Sequence, residues 1–255
     1  MSVLLEARHI SHRFGRTLAL DDVSLTLRRH EILAIVGESG SGKTTLLNML
    51  SGRLTPQSGD ILYYDGHAAT SLRVRGERAV RTLQRARWGY VAQDPRAALR
   101  LDISAGGNIG ARLMASGARN YDDIRAMAAR WLEAVEIDVD RLDDWPRTFS
   151  GGMLQRLQIA ATLVTDPELV FMDEPTGGLD VSVQARILDL IRSLVRRLGL
   201  AVVIVTHDIG VARLLADRLI VMRRGCIVEH GLTDQVLDDP QHPYTQLLVA
   251  SVLPV

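Results

Sequence analysis

At 255 residues the chain has room for one large domain, or two small lobes, around a sizeable core. Its 47% hydrophobic and 24% charged residues are those of an ordinary globular protein and exclude a disordered chain. Lys+Arg and Asp+Glu both number 30, so a whole-molecule basic field for nucleic acid is excluded and no nucleic-acid partner is expected.

Glu6, Arg8 and His9 interrupt the first apolar residues, so no signal peptide is expected. No apolar run reaches the roughly 18 residues of a membrane span. The expectation is a cytoplasmic protein with no direct membrane insertion. Residues 3–10, 21–28 and 59–65 are short and mixed in polarity and predict antiparallel strands, with a Pro-Gln-Ser-Gly turn at 56–59. Residues 32–36 are wholly apolar, as are 169–172 and 201–205, the pattern of strands buried on both faces of a parallel sheet. GESGSGKT at 37–44 follows the first of these and precedes a predicted helix over 44–52, which is the context of a phosphate-binding P-loop. Its glycines let backbone N–H groups cradle phosphate oxygens, and the helix N-terminus adds its dipole. Lys43 is expected to reach the β- and γ-phosphates of ATP, and Thr44 to ligate Mg²⁺.

Residues 73–87 read RVRGERAVRTLQRAR, with six arginines against the single acid Glu77. Arg78, Arg81 and Arg85 fall on one helical stripe with Val80 and Leu83 away from it, which predicts a face for an acidic partner. Residues 105–145 are helix-forming without a strand signal. They predict a helical lobe over 96–159, inserted into a core made of 1–95 and 160–255, all within one domain spanning 1–255. Leu154, Leu157, Ala161 and Val164 recur at helical spacing, as do Val183, Ile187, Leu190, Leu194 and Leu198. Between these helices LVFMDEP (169–175) carries Asp173 and Glu174 to the C-terminal end of a buried strand, where α/β sheets keep their ligands. Adjacent carboxylates repel without a cation, so Asp173 suits a Mg²⁺ shell and Glu174 a general base. Cys226, the single cysteine, cannot form an internal disulfide and reads as a buried or half-buried thiol without a redox role, in an apolar strand over 220–231. The end, 238–253, begins with two prolines and finishes as a short apolar helix. Alternating strands and helices predict an α/β fold with a parallel core sheet, an antiparallel β part and an inserted helical part.

FSGGMLQR (149–156), THD (206–208), VAQDP around Gln93, GGLD ending at Asp180, and Phe14 stand in one order with the P-loop and LVFMDEP. Together they resemble the ATP-binding cassette (ABC) family over essentially the whole chain. The resemblance implies an ATPase in which Gly37, Glu38, Ser39, Gly40, Ser41, Gly42, Lys43, Thr44 and Thr45 hold the phosphates and Phe14 stacks on adenine. It implies Glu174, His207 and Gln93 as catalytic groups, and Thr44, Gln93 and Asp173 around Mg²⁺. Ser150, Gly151 and Gly152 are implied to complete the P-loop of a second protomer, either a copy of this chain or a close paralogue, and Asp180 is implied to bind nucleotide in the family's D-loop. Met153 replaces the family's usual glutamine. Gly177 and Gly178 stand where a bulkier pair is common, which implies a looser loop before Asp180.

Within the family, 104–126, 43–61, 177–195 and 202–222 resemble the ATP-binding subunits of the carbon–phosphorus lyase machinery for phosphonate use. That resemblance implies docking on a soluble core complex. A radical S-adenosylmethionine centre would belong to that partner, since this chain has no cysteine cluster. HPYTQLL (242–248) resembles the ATPases of peptide and nickel importers, although 99–102 (Leu-Arg-Leu-Asp) lacks the proline usual in them. A third class, ABC proteins acting on DNA or ribosomes, carries two cassettes or a long coiled coil, and neither fits this chain.

Overall fold

The structure is a computed structural model that describes residues 2–66 and 68–251. The chain divides into two compact units, one of residues up to 81 and from 200 onward, the other of residues 82–199.

The first unit opens with β1 (Val3–Phe14) and β2 (Thr17–Arg28), an antiparallel hairpin closed where Phe14 faces Thr17. Both strands run beyond the expected 3–10 and 21–28. The added residues 11–14 and 17–20 are mixed in burial, with His12 and Leu20 buried and Arg13, Phe14 and Thr17 exposed, so no apolar run marks them. Next come β3 (Ile32–Val36), buried at every residue, then α1 (Lys43–Leu50), β4 (Ser58–Asp65) and β5 (Ala68–Ser71). The antiparallel strands form a sheet in the order β2-β1-β4-β5. β5 was not expected from the sequence, because its Ala-Ala-Thr-Ser has neither an apolar run nor a buried residue to announce it. Helix α2 (Leu72–Ala86) follows and is broken at Gly76, whose φ of 73° and ψ of 164° are not helical. The division between the units falls within this helix.

The second unit begins with β6 (Trp88–Val91). It continues through α3 (Pro95–Ala98), α4 (Ala105–Ala115), α5 (Tyr121–Ala134), two 3-10 turns at Val139–Asp143 and Pro146–Thr148, and α6 (Gly151–Leu163). Polar caps written into the sequence start α4, α5 and α6: Ser104, Asn120 and Ser150 each accept a first-turn amide. β7 (Leu169–Asp173) lies parallel to β6, and α7 (Val181–Leu198) ends on Gly199 in the left-handed region.

The first unit resumes with β8 (Ala201–Thr206), α8 (Ile209–Leu215), β9 (Arg218–Arg223), β10 (Cys226–Leu232), α9 (Thr233–Asp238) and α10 (Pro243–Ala250). β3 pairs in parallel with both β8 and β9. The single strand expected over 220–231 is instead the antiparallel hairpin β9–β10. Arg224 and Gly225 turn it with φ of 48° and 84°, the two positive φ values that a tight hairpin turn requires. Cys226 is half-buried and unpaired by disulfide. The expected C-terminal helix is present as α10, while Val252 and Leu253 lie outside the described residues. Among the described residues no helix is long and apolar enough to cross a membrane.

Candidate nucleotide site

In the first unit, β3 delivers the chain straight into the P-loop. A Cβ at Gly37 would collide with the carbonyl oxygen of Met222 on β9, so only glycine lets the loop leave the sheet here. Gly42, at φ 104°, caps α1 in a conformation that L side chains rarely adopt. Lys43 is 6% exposed, and its Nζ donates to the carbonyls of Gly37 at 2.8 Å and Glu38 at 2.9 Å. Ser41 is buried with its Oγ unpartnered, while its carbonyl accepts the amide of Gly225. Glu38, Ser39, Gly40 and Thr44 are exposed, and Thr45 is half-buried. An aimed ammonium, a buried hydroxyl lacking a partner and glycines that admit no side chain fit a polyphosphate.

The register of β3 and β8 sets Val36 opposite Thr206, so Gly37 and His207 leave the sheet at the same edge. His207 is exposed, and Asp208 behind it caps α8, accepting from the amides of Gly210 and Val211. Phe14, 52% exposed at the tip of the β1–β2 hairpin, rests on the edge of His12 with ring centroids 4.7 Å apart. The sequence reading passed over His12, which is nearly buried and sets the aromatic platform beneath Phe14.

In the second unit, β6 and β7 are parallel with Val91 opposite Met172, so Gln93 and the Asp173–Glu174 pair emerge at one edge. Asp173 is buried, and Gln93 is exposed. Glu174 takes φ 43°, a left-handed value unusual for a side chain of its size, and its carbonyl accepts the amide of Gly177 at 2.9 Å. Such strain persists only where the surroundings impose it, and it gathers at functional sites. The carboxylate of Asp173 and the hydroxyl of Thr44 in the first unit are hard oxygen donors of the kind Mg²⁺ takes. Buried Gln158 on α6 was also missed. With its amide turned so that donor meets acceptor, it grips Ala92, accepting from the amide at 2.6 Å and donating to the carbonyl at 3.2 Å. It thereby fixes the residue before Gln93. Nothing in the sequence singled it out, since Gln155, three positions earlier on the same helix, is buried as well.

Ser150 caps α6, its Oγ accepting the Met153 amide at 3.3 Å, and both Ser150 and Gly151 are exposed. A Cβ on Gly152 would press on Val183 of α7, and Gly151 lies against Leu179, so these glycines of the 149–156 signature segment pack on the residues that follow Gly178. Asp180 is exposed at the start of α7, its carbonyl accepting the amides of Val183 and Gln184. Gly178 has φ 71°. Met153 takes the place of the usual glutamine, and its Sδ accepts from Arg141.

A family profile described as "ABC transporter" matches residues 20–177, which span the P-loop, Gln93, the signature segment and the Asp173–Glu174 pair. The chain belongs to the ABC transporter family of ATP-binding proteins. A profile described as "AAA domain, putative AbiEii toxin, Type IV TA system" overlaps it at 144–213. Among ABC relatives, the "putative phosphonates utilization ATP-binding protein PhnK" of Escherichia coli K12 is 64% identical, over 98% of both chains. The dipeptide transport ATP-binding protein DppF of Haemophilus influenzae is 37% identical, over 91% of this chain and 70% of its own. The solved dimer of the ATP-binding cassette MJ0796 bound to ADP and Pi superposes with a TM-score of 0.80 at 28% identity, covering 90% of this chain and 99% of that one. The cbiO1 protein of Clostridium perfringens superposes with a TM-score of 0.82. The chain is therefore an ABC ATPase with the mixed α/β fold of these cassettes.

Proposed function

We propose that this ABC ATPase hydrolyses MgATP between two protomers in the service of phosphonate breakdown, docked on a soluble carbon–phosphorus lyase core complex. The observation that carries the reading is the P-loop, with its buried Lys43 aimed at carbonyl oxygens that phosphate can replace. The 64% likeness to a relative named for phosphonate use supports the finer assignment.

In this reading residues 37–45 hold the phosphates and Phe14 takes the adenine. Thr44, Gln93 and Asp173 surround Mg²⁺. Glu174 orients the attacking water, and His207 meets the γ-phosphate. Ser150, Gly151, Gly152 and Asp180 serve the nucleotide of the other protomer. An ATP contacted from both sides closes the pair, and loss of the γ-phosphate opens it, which is how chemistry becomes motion. The division into a core of 1–95 with 160–255 and a helical lobe of 96–159 belongs to this proposal, as does a cytoplasmic location. So does the docking role of the α2 arginines.

Capture of the tagged full chain from cells grown on a phosphonate tests the assignment. Recovery of soluble phosphonate-cleaving subunits is the expected result. Recovery of a membrane permease, with dipeptide or nickel uptake lost on deletion, would replace it with the importer reading, which the DppF relative and the 242–248 segment favour.

A further inference from the structure

The P-loop is held from behind by the far end of the chain. The peptide plane joining Gly37 to Glu38 carries two hydrogen bonds at its opposite ends. Its carbonyl, that of Gly37, accepts from Lys43 Nζ at 2.8 Å. Its N–H, that of Glu38, donates to the hydroxyl oxygen of Tyr244 at 3.0 Å, across 206 positions of sequence. Glu38's own carbonyl accepts from Lys43 Nζ at 2.9 Å and from the Ser41 amide at 3.2 Å.

Tyr244 is firmly seated. It is 8% exposed and packs in one apolar cluster with Val36, the last residue before the loop, and with Val221 and Ile209. The Arg223 guanidinium lies over its ring, 4.8 Å from the centroid. The start of α10 is built to aim it. His242 caps the helix, its Nδ1 accepting the Tyr244 amide at 3.1 Å, and Pro243 fills the first helical position. The Glu229 carboxylate on β10 accepts the amides of Gln241 at 2.8 Å and His242 at 3.0 Å. All these residues belong to the first unit.

We propose that Tyr244 is a positioning residue for nucleotide binding: its hydroxyl fixes the Gly37–Glu38 peptide plane and so sets where the Lys43 ammonium stands. The inference rests on the reading of 37–45 as the nucleotide site. A peptide unit is rigid, so its N–H and C=O turn together. On the N-terminal side of the plane stands glycine, the residue least able to resist such a turn. Without the tyrosine oxygen, the Glu38 amide loses its acceptor and the plane rotates to find another. The Gly37 carbonyl moves with it, and Lys43 loses one of the carbonyls it rests on. Because the contact is to the loop backbone and not to a reacting group, it acts equally on bound ATP and on its transition state.

Tyr244→Phe in the full chain tests this, since it keeps the ring, the burial and the Arg223 contact and removes only the acceptor. The expected result is a rise of about three- to tenfold in the Kd and KM for ATP, the size of one lost hydrogen bond, with kcat within about twofold. Amide exchange at Glu38 in the nucleotide-free chain should speed up while α1 and β3 stay protected. Unchanged Kd and unchanged Glu38 exchange would overturn the proposal. So would a Kd that rises only together with a large fall in melting temperature and faster exchange throughout the unit, because Tyr244 would then be a packing residue. Wild-type chain that bound no ATP would defeat the underlying nucleotide reading instead, and the Glu38 exchange comparison would still decide the anchor.

Discussion

Lys43 and Glu174 separate binding from chemistry. The Lys43 ammonium is buried against peptide carbonyls, which stabilise a charge less well than phosphate oxygens do. Lys43→Ala removes charge-assisted bonds worth about 1.5–3 kcal/mol each, so ATP affinity should fall by at least about one to two orders of magnitude. Titration with a fluorescent nucleotide reads this directly. Glu174→Gln keeps the shape of a side chain that a left-handed backbone already aims, and removes its basicity. Binding of ATP is expected to persist, while turnover drops by about two or more orders of magnitude, as on losing a positioned base. Ordinary phosphate release by Glu174→Gln would take that residue out of the reaction.

Among the elements, α2 and α10 each carry a prediction. After the break at Gly76, α2 buries Val80 and Leu83 and leaves Arg78, Arg81 and Arg85 exposed. Arg81 has one partner, Glu77, at 2.9 Å on the same helix, and so exposed a pair contributes little stability. Like charges in a stripe favour an acidic surface that can meet them in carboxylate pairs. Arg81→Glu with Arg85→Glu should abolish co-purification with the phosphonate-cleaving complex and leave ATP binding intact. Wild-type association should also weaken steeply with salt. Full recovery of the complex by the double variant would make the stripe an ordinary solvated face.

At α10 the Glu229 carboxyl is pushed up by burial, but the nearby Thr245 hydroxyl and the amides of Gln241 and His242 outweigh this and hold it below its ordinary value of 4.5. A lowered folded pKa gives stability that is present above about pH 4.5 and lost as pH falls through the folded value. Amide protection in 241–250, relative to the intrinsic exchange rate at each pH, should therefore fall below pH 4.5 in the wild type. In Glu229→Gln protection should be low at neutral pH and nearly flat with acid. Wild-type protection with no acid limb would exclude Glu229 as the clamp.

Elements differ in how far the sequence reveals them, and the reason is burial. β3, β7 and β8 are covered on both faces, so their apolar runs stand out. β5 is exposed or half-exposed, and the tight turn that splits 220–231 depends on φ values at Arg224 and Gly225 that a run of apolar residues masks. The site follows the same division. Residues proposed to meet the phosphates, the metal or the attacking water are constrained by chemistry and fall into short motifs, as 37–44 and 173–174 do. Residues that would hold them in place act through one or two bonds to backbone, as Gln158 does at Ala92 and Tyr244 at Glu38. Such bonds leave no pattern in the chain, because any polar side chain at the right point in space would serve.

For the whole molecule the question is why an ATPase should present Ser150 and Gly151 to solvent at the head of a long helix. The Ser150 hydroxyl is occupied in capping α6, a role worth about 1 kcal/mol, and the helix N-terminus beside it favours an anion. If that anion is the γ-phosphate held by another chain, each protomer is half of two sites. Ser150→Arg should then leave ATP binding by the isolated chain within about twofold of wild type, because in this account Ser150 serves the nucleotide of the other protomer and one lost cap costs only stability. ATP-driven pairing should disappear. This is best seen with Glu174→Gln present, since that variant is expected to accumulate as the ATP-bound pair on size exclusion. Mixing Ser150→Arg with Lys43→Ala chains provides the sharper arm. In a mixed pair one composite site carries both lesions and the other carries neither, so at most one site works, while each variant alone has none. Partial hydrolysis that appears only on mixing, and scales with the product of the two concentrations, is the expected outcome. Wild-type turnover by Ser150→Arg in dilute monomeric solution would show that one chain suffices and would end the two-chain account.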